Sequence, residues 1–280
     1  MVLHHLLRGR LADRVVSDGQ DVEAFYTEQR SRFTEFAERV RAADARGSTG
    51  KPFRTVIQIG IGGSDLGPRA LYLALKHTVD ESDRLEARFI SNVDPDDPAA
   101  VVEELDLEST LFVLVSKSGT TQETLTNRRF VLEAMAHANV PGLDPSAHMV
   151  AVTSRTSPLA DSEEFREAFY IDDAIGGRYS STSAVGGVVL SCSLGPEIFG
   201  QLLEGAHDAD VKALAPEPRK NAALLDALIG VYERSILGYP ATAVLPYAQA
   251  LSRFPAHLQQ LDMESNGKRV NRSGEPVDYP

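Results

Sequence analysis

The stretch Thr110–Asn127, TLFVLVSKSGTTQETLTN, decides the fold. Its first part, Leu111–Val115, is a short apolar run of strand-forming residues. It ends in the hydroxyl-rich turn Ser116-Lys117-Ser118-Gly119-Thr120-Thr121, and a helical pattern starts at once. Thr120 with Glu123 has the capping-box spacing that ties up N–H groups of a first helical turn. A strand ending in hydroxyls, one glycine and a fresh helix N-terminus makes an anion site, because free N–H groups and the positive end of the helix dipole point at one spot. The stretch reads as a phosphate cradle. Five of the six residues from 116 to 121 carry a hydroxyl or an ammonium. An ordinary polar loop with a solvated Lys117 is the plain alternative.

Outward from this stretch the pattern alternates. Strands are expected at Thr55–Ile59, Arg88–Val93, Leu111–Val115, Met149–Thr153 and Phe169–Ile171. Helices are expected at about Gly67–His77, Pro95–Leu105, Gln122–Ala138 and Pro158–Arg166, with Asp94-Pro95 as a capping pair. Strands alternating with helices imply βαβ units and an α/β fold, a parallel sheet covered on both faces. In such sheets ligands sit outside the carboxyl ends of the strands. Residues 1–46 carry helical periodicity that suggests two packing helices. After Gly176 the chain turns mostly helical, through Glu197–Val211, Asn221–Leu237 and Gln249–Glu264, with one more strand expected at Ala241–Leu245. The expected organisation is a helical segment over 1–50, a first α/β domain over 51–230, and the beginning of a second over 231–280.

Composition narrows the function. A chain of 280 residues with 42% hydrophobic and 24% charged content can bury a sizeable core. Its net charge of −12 argues against nucleic acid, so an anionic ligand would have to be held by local N–H groups and hydroxyls. The single cysteine, Cys192, excludes an internal disulfide framework and suits a reducing, cytoplasmic setting. It sits among small residues, as a buried side chain would. There is no Cys/His metal spacing, no run of 18 apolar residues that would cross a membrane, and no signal-peptide pattern in MVLHHLLRGR.

Three further motifs carry chemistry. The turn after the first strand, Gln58–Pro68, has glycines at 60, 62 and 63 that let backbone approach a ligand, with Ser64 or Asp65 to cap the next helix. It is not the dinucleotide fingerprint, which needs glycine where Asp65 stands; tight strand–helix packing would also account for the glycines. Gly176-Gly177-Arg178-Tyr179-Ser180 suggests a tightly folded backbone that aims a guanidinium, able to stabilise developing oxyanion charge. A structural pairing of Arg178 with a carboxylate competes with that reading. In Leu258–Lys268, Gln260 and Glu264 are four apart and share one helix face, with Gly267 as terminator. A carboxylate in a last helical turn suits a general base, although locally a solvated glutamate is the simpler reading.

These pieces occur in the order IGIGGSDLGP (59–68), VSKSGTTQET (115–124), GGRYSSTSAVGG (176–187) and LPYAQALSRFPAHLQQLDMESNGKRV (245–270). In this the chain resembles the phosphoglucose isomerase family over about residues 55–275. The resemblance implies sugar-isomerase-type α/β/α domains, a homodimer, and a cytoplasmic enzyme of glycolysis and gluconeogenesis that needs no cofactor. It implies interconversion of glucose 6-phosphate and fructose 6-phosphate through a cis-enediol. Ser116, Ser118 and Thr121, with backbone of Lys117 and Thr120, would surround the phosphate; Ser118 stands where many relatives have threonine. Gly62, Gly63, Ser64 and Gln260 would line the sugar, Arg178 would stabilise the enediolate, and Glu264 would carry the proton between C1 and C2. The family also uses a histidine in a GTNGQH-type motif and a lysine near the C-terminus, and neither is found in these residues. That departure leads to the expectation of a C-terminally truncated chain that binds phosphosugar without turning it over. A non-catalytic phosphosugar-binding or regulatory module is the alternative.

Overall fold

The computed structural model describes residues 3–11, 15–17 and 19–277. The chain starts with a 3₁₀ turn, His4–Leu7, and a two-residue antiparallel ladder, β1 (Val16–Ser17) with β2 (Gln20–Asp21). Helix α1 (Val22–Arg41) follows, its N-terminus capped by Asp21, which accepts from the Ala24 N–H at 3.1 Å. Of the two helices expected in residues 1–46, the described residues form this one.

Five strands then build a parallel sheet: β3 (Thr55–Ile59), β4 (Glu86–Ile90), β5 (Thr110–Val115), β6 (Met149–Thr153) and β7 (Glu167–Tyr170), in the order β4-β3-β5-β6-β7. All six residues of β5 are buried, as a central strand covered on both faces must be. The strand's alternation splits the core in two. Leu111, Val113 and Val115 join the layer of α1, α2 (Leu66–Leu75) and α5 (Ala184–Leu194). Phe112 and Leu114 face α3 (Asp96–Val102) and α4 (Gln122–His137), where Val102, Val131 and Met135 meet them. The result is the expected three-layer arrangement.

Helix α5 was not among the expected elements. Every one of its residues is buried, so it has no polar face and no amphipathic period to read. Glycine in a helix interior costs about 1 kcal/mol relative to alanine, and α5 carries two. Packing explains both: a Cβ on Gly186 would fall 2.1 Å from the Ser181 carbonyl oxygen, and one on Gly187 2.4 Å from Phe33 Cζ, so α1 crosses α5 at a point where only glycine fits.

The outer edge of β7 is closed by side chains of α1. Gln29 Oε1 accepts from the Tyr170 N–H at 2.8 Å, and Arg32 Nη2 donates to the Ala168 carbonyl at 2.9 Å. These two backbone groups face away from β6, and α1 thereby satisfies an edge that could otherwise pair with another chain.

Other expectations need correction. Pro158–Arg166 is a series of turns, because Ser157 Oγ accepts from the Leu159 N–H and Ser162 Oγ from the Glu164 N–H, local bonds that compete with a helix. Helix α3 is N-capped at Pro95, not Asp94, whose carboxylate accepts from the Asp96 N–H at 3.0 Å. Ala241–Leu245 has no ladder partner among the described residues, and Leu245 stands 73% exposed; a lone extended segment is not a strand. After α6 (Pro196–Lys212), helix α7 (Ala222–Ser235) contributes no buried residue. The helix expected at Gln249–Glu264 is three pieces: a 3₁₀ turn Gln249–Leu251, α8 (Phe254–Gln259), and a π turn Gln260–Glu264. Gly267 does stand just beyond its end.

Among the described residues no helix is long and apolar enough to cross a membrane.

Candidate functional site

The chain runs from β3 to the edge strand β4 and returns to β5 on the other side of β3. Such a switch point opens a crevice outside the carboxyl ends of the two strands. β3 and β5 are in register there, Ile59 opposite Leu114, so the glycine turn after β3 and the hydroxyl turn after β5 stand side by side. A cavity of about 390 Å³ lies between them, its wall including Ile61, Ser64, Ser116, Lys117, Ser118 and Thr121.

The hydroxyl turn is built on itself. Ser116 is buried at the end of β5, and its Oγ lies 3.0 Å from Thr121 Oγ1 while accepting from the Gly119 N–H at 3.1 Å. Gly119 adopts φ +69°, and a Cβ there would fall 2.1 Å from Ser157 Oγ, so both backbone geometry and space demand glycine. The capping box does not form. Thr120 Oγ1 instead donates to Ser118 Oγ at 2.9 Å, and the N-cap of α4 is Thr121, whose side chain caps nothing. Because Thr121 Oγ1 is turned toward Ser116, the first turn of α4 is left without a side-chain cap, the condition under which an anion can take its place.

Lys117 is not solvated as a loop lysine would be. Its Nζ donates to the carbonyl oxygens of Asp173 and Ile175, each at 3.0 Å, reaching the loop that carries Arg178.

The first and third motifs are pressed together. A Cβ on Gly63 would fall 2.2 Å from the Gly177 carbonyl oxygen, and Ser180 Oγ donates to the Gly63 carbonyl at 3.2 Å and to that of Gly177 at 2.6 Å. Gly62, in the same 3₁₀ turn Gly62–Ser64, has φ +60°. Tyr179 is left-handed at φ 61°, uncommon for a bulky residue and placed next to Arg178. The Arg178 guanidinium reaches the fourth motif: Nη1 donates to the Leu261 carbonyl at 3.3 Å and to Asn266 Oδ1 at 2.5 Å. The structural partner of Arg178 is thus a carbonyl and an amide, not a carboxylate. Beyond it, Glu264 Oε2 accepts from Ser265 Oγ at 2.9 Å and from Gln260 Nε2 at 3.4 Å, and Gln260 Oε1 is shielded without a partner.

The expected site residues therefore fall into two joined clusters. Ser64, Ser116, Lys117, Ser118 and Thr121 line the cavity; Gly62, Gly63, Thr120, Arg178, Gln260 and Glu264 are not in its wall. Arg178, Gln260 and Glu264 form their own group, tied to the first through Gly177 on Gly63. The cavity also has walls that sequence reasoning missed: Thr124, Ser154, Thr156, Ser157 and Asp173. A signal for three of them was present. Thr153-Ser154-Arg155-Thr156-Ser157 repeats, after β6, the strand-then-hydroxyl pattern seen after β5. Among the described residues no group of His, Cys, Asp and Glu is arranged to hold a metal ion.

The phosphoglucose isomerase family model matches residues 1–280, the whole chain. The chain belongs to the phosphoglucose isomerase family. Among curated relatives, the glucose-6-phosphate isomerase of Treponema pallidum (strain Nichols) is 57% identical over 284 residues, 99% of this chain and 52% of the relative. That of Treponema denticola is 56% identical over 279 residues, 100% of this chain and 52% of the relative. The crystal structure of a glucose-6-phosphate isomerase from Chlamydia trachomatis superposes with a TM-score of 0.89 at 42% identity, over 100% of this chain and 52% of that one. The chain spans about half the length of the curated relatives it matches.

Proposed function

We propose that this chain supplies the phosphosugar site and the proton-transfer groups of an aldose–ketose isomerase interconverting glucose 6-phosphate and fructose 6-phosphate. One observation carries the reading: a hydroxyl-lined cavity at the uncapped N-terminus of α4 stands beside the contact of Gly63 with Gly177, and Arg178, next in the chain, bonds Leu261 and Asn266 on either side of Glu264. The hydroxyls of Ser116, Ser118 and Thr121, with backbone of Lys117 and Thr120, take the phosphate. Gly62, Gly63, Ser64 and Gln260 face the sugar chain. The Glu264 carboxylate removes the proton from C2 of the open-chain aldose, giving a cis-enediolate whose charge Arg178 stabilises, and returns it to C1 to give the ketose. Ser265 and Gln260, both bonded to Glu264 Oε2, hold that carboxylate in place.

The family match over all 280 residues, and relatives named as isomerases, favour this reading over a non-catalytic binding module. A homodimer, a cytoplasmic place in glycolysis and gluconeogenesis, and a second sugar-isomerase unit beginning within 231–280 belong to the same proposal. Sedimentation tests the assembly.

The site itself is tested by calorimetric titration with glucose 6-phosphate, inorganic phosphate and free glucose. Glucose 6-phosphate is expected to bind at least about tenfold more tightly than glucose, as charge-assisted phosphate bonds require. Equal binding of the two sugars overturns the reading. Solvent-deuterium exchange at C2 reads the proton step, and Glu264→Gln is expected to slow it by about 10²–10⁴-fold.

A further inference from the structure

The loop that leads into Arg178 is held by side chains from elsewhere in the chain. Lys117 sends its ammonium away from its own turn: besides the two carbonyls of Asp173 and Ile175, both at 3.0 Å, Nζ lies 3.7 Å from Asp173 Oδ1. His4 Nε2 lies 3.2 Å from the Gly176 carbonyl oxygen. Within the loop, Asp172 Oδ1 accepts from the Ala174 N–H at 2.8 Å. An ammonium has three donors, and two of them here are spent on carbonyls two residues apart. Bonds from a cation are about twice as strong as neutral ones, so this clamp fixes the backbone between those carbonyls. Gly177, two residues on, then packs against Gly63, and Arg178 follows it directly.

We infer that Lys117 is a positioning residue. Its side chain ties the phosphate turn to the Asp173–Arg178 loop, so that a filled cradle and an aimed guanidinium form one mechanical unit. The hydroxyls of Ser116, Ser118 and Thr121 remain in the cavity wall for the phosphate, while the lysine charge serves the loop. The ligand part of this inference rests on the phosphosugar reading; the tether itself does not.

The test replaces the ammonium and keeps the stem. In Lys117→Met without ligand, amide hydrogen exchange at Ala174 and Ile175 is expected to quicken at least about tenfold, as a loop released from a charge-assisted clamp should. Lys117→Arg, which retains a donor cation, should bring exchange back toward the original rate. With ligand, Lys117→Met should lose less affinity for inorganic phosphate than for a phosphosugar acid. It should lose about tenfold for 6-phosphogluconate, whose carboxylate puts negative charge at the reacting end. Adding Arg178→Met should then cost no more, since two residues acting as a unit are not additive. Unchanged exchange in Lys117→Met overturns the tether. An equal loss for phosphate and 6-phosphogluconate also overturns it, by making Lys117 a direct phosphate ligand. If the unaltered chain binds neither compound, the proposed function fails, and the exchange rates still decide the tether.

Discussion

Gly63 and Gly177, which belong to turns more than a hundred residues apart, touch so closely that neither a methyl group nor a water fits between them. A Cβ added to Gly63 would lie 2.2 Å from the Gly177 carbonyl oxygen and 2.6 Å from its Cα. The obstacle is backbone, which cannot swing aside like a flexible side chain. Gly63→Ala should therefore push the glycine turn off the arginine loop. A loss of about 1–3 kcal/mol is expected, the usual cost of overpacking, read as a lower urea midpoint. Affinity for 6-phosphogluconate should fall with it. A variant of unchanged stability and affinity would mean that the two turns move apart freely.

Thr121 has exchanged the ordinary duty of an N-cap for a bond to Ser116 Oγ at 3.0 Å. Thr121→Val keeps the shape and removes the hydroxyl, at about 1 kcal/mol of stability. Glucose 6-phosphate should bind at least about tenfold more weakly, and free glucose within about twofold of before. Equal losses for the two sugars would place the phosphate elsewhere.

Stability should fall on mild acidification, and His148 contributes to that fall. The ring is buried; Nδ1 donates to the Thr110 carbonyl at 2.9 Å, and Nε2 accepts from the Ser48 N–H at 3.0 Å, which requires the neutral form. Burial lowers its pKa from the ordinary 6.5, and Arg166 adds to the lowering, against opposing contributions from the Thr110 carbonyl, Asp144 and Glu108. Below 6.5 the unfolded chain takes up a proton that the folded chain refuses. The contribution is therefore whole above that pH and is lost as pH falls through the lowered folded value. Burial lowers His4 and His257 in the same direction. Urea midpoints at pH 7.5 and 5.5 should differ in favour of the higher pH, and His148→Gln should narrow the difference. A midpoint flat across this range would show that the rings titrate normally.

Cys192 lies in the all-buried helix α5, and burial pushes its thiol up to about 12. The thiolate is the reacting species. Iodoacetamide should leave the native chain unlabelled for hours at pH 8 and label it promptly in urea, as followed by mass spectrometry. Fast native labelling would mean that α5 opens to solvent.

The central sheet was legible in the sequence because its signals are local. β3 and β6 follow from short apolar runs bounded by turn residues, and β5 differs from expectation only by including Thr110. Helix α4 begins where the pattern says it does, at Gln122. Helix α5 escaped notice because a helix buried on every side has no period to detect. The strand expected at Ala241–Leu245 shows the converse: its composition suits a strand, and no neighbour pairs with it among the described residues.

Residue order alone thus determined that strands and helices alternate, that a hydroxyl-rich turn at 116–121 joins a strand to a helix, and that glycines 63 and 177 allow close backbone approach. These are properties of a few consecutive residues, set by side-chain period, hydroxyl content and the missing Cβ. Where Lys117 sends its charge was decided only in three dimensions, by carbonyls up to 58 residues away. The partners of Arg178, 83 and 88 residues along the chain, were decided in the same way. A long side chain can reach many acceptors; which of them lies within 3 Å depends on how the layers pack, and packing is a property of the whole chain.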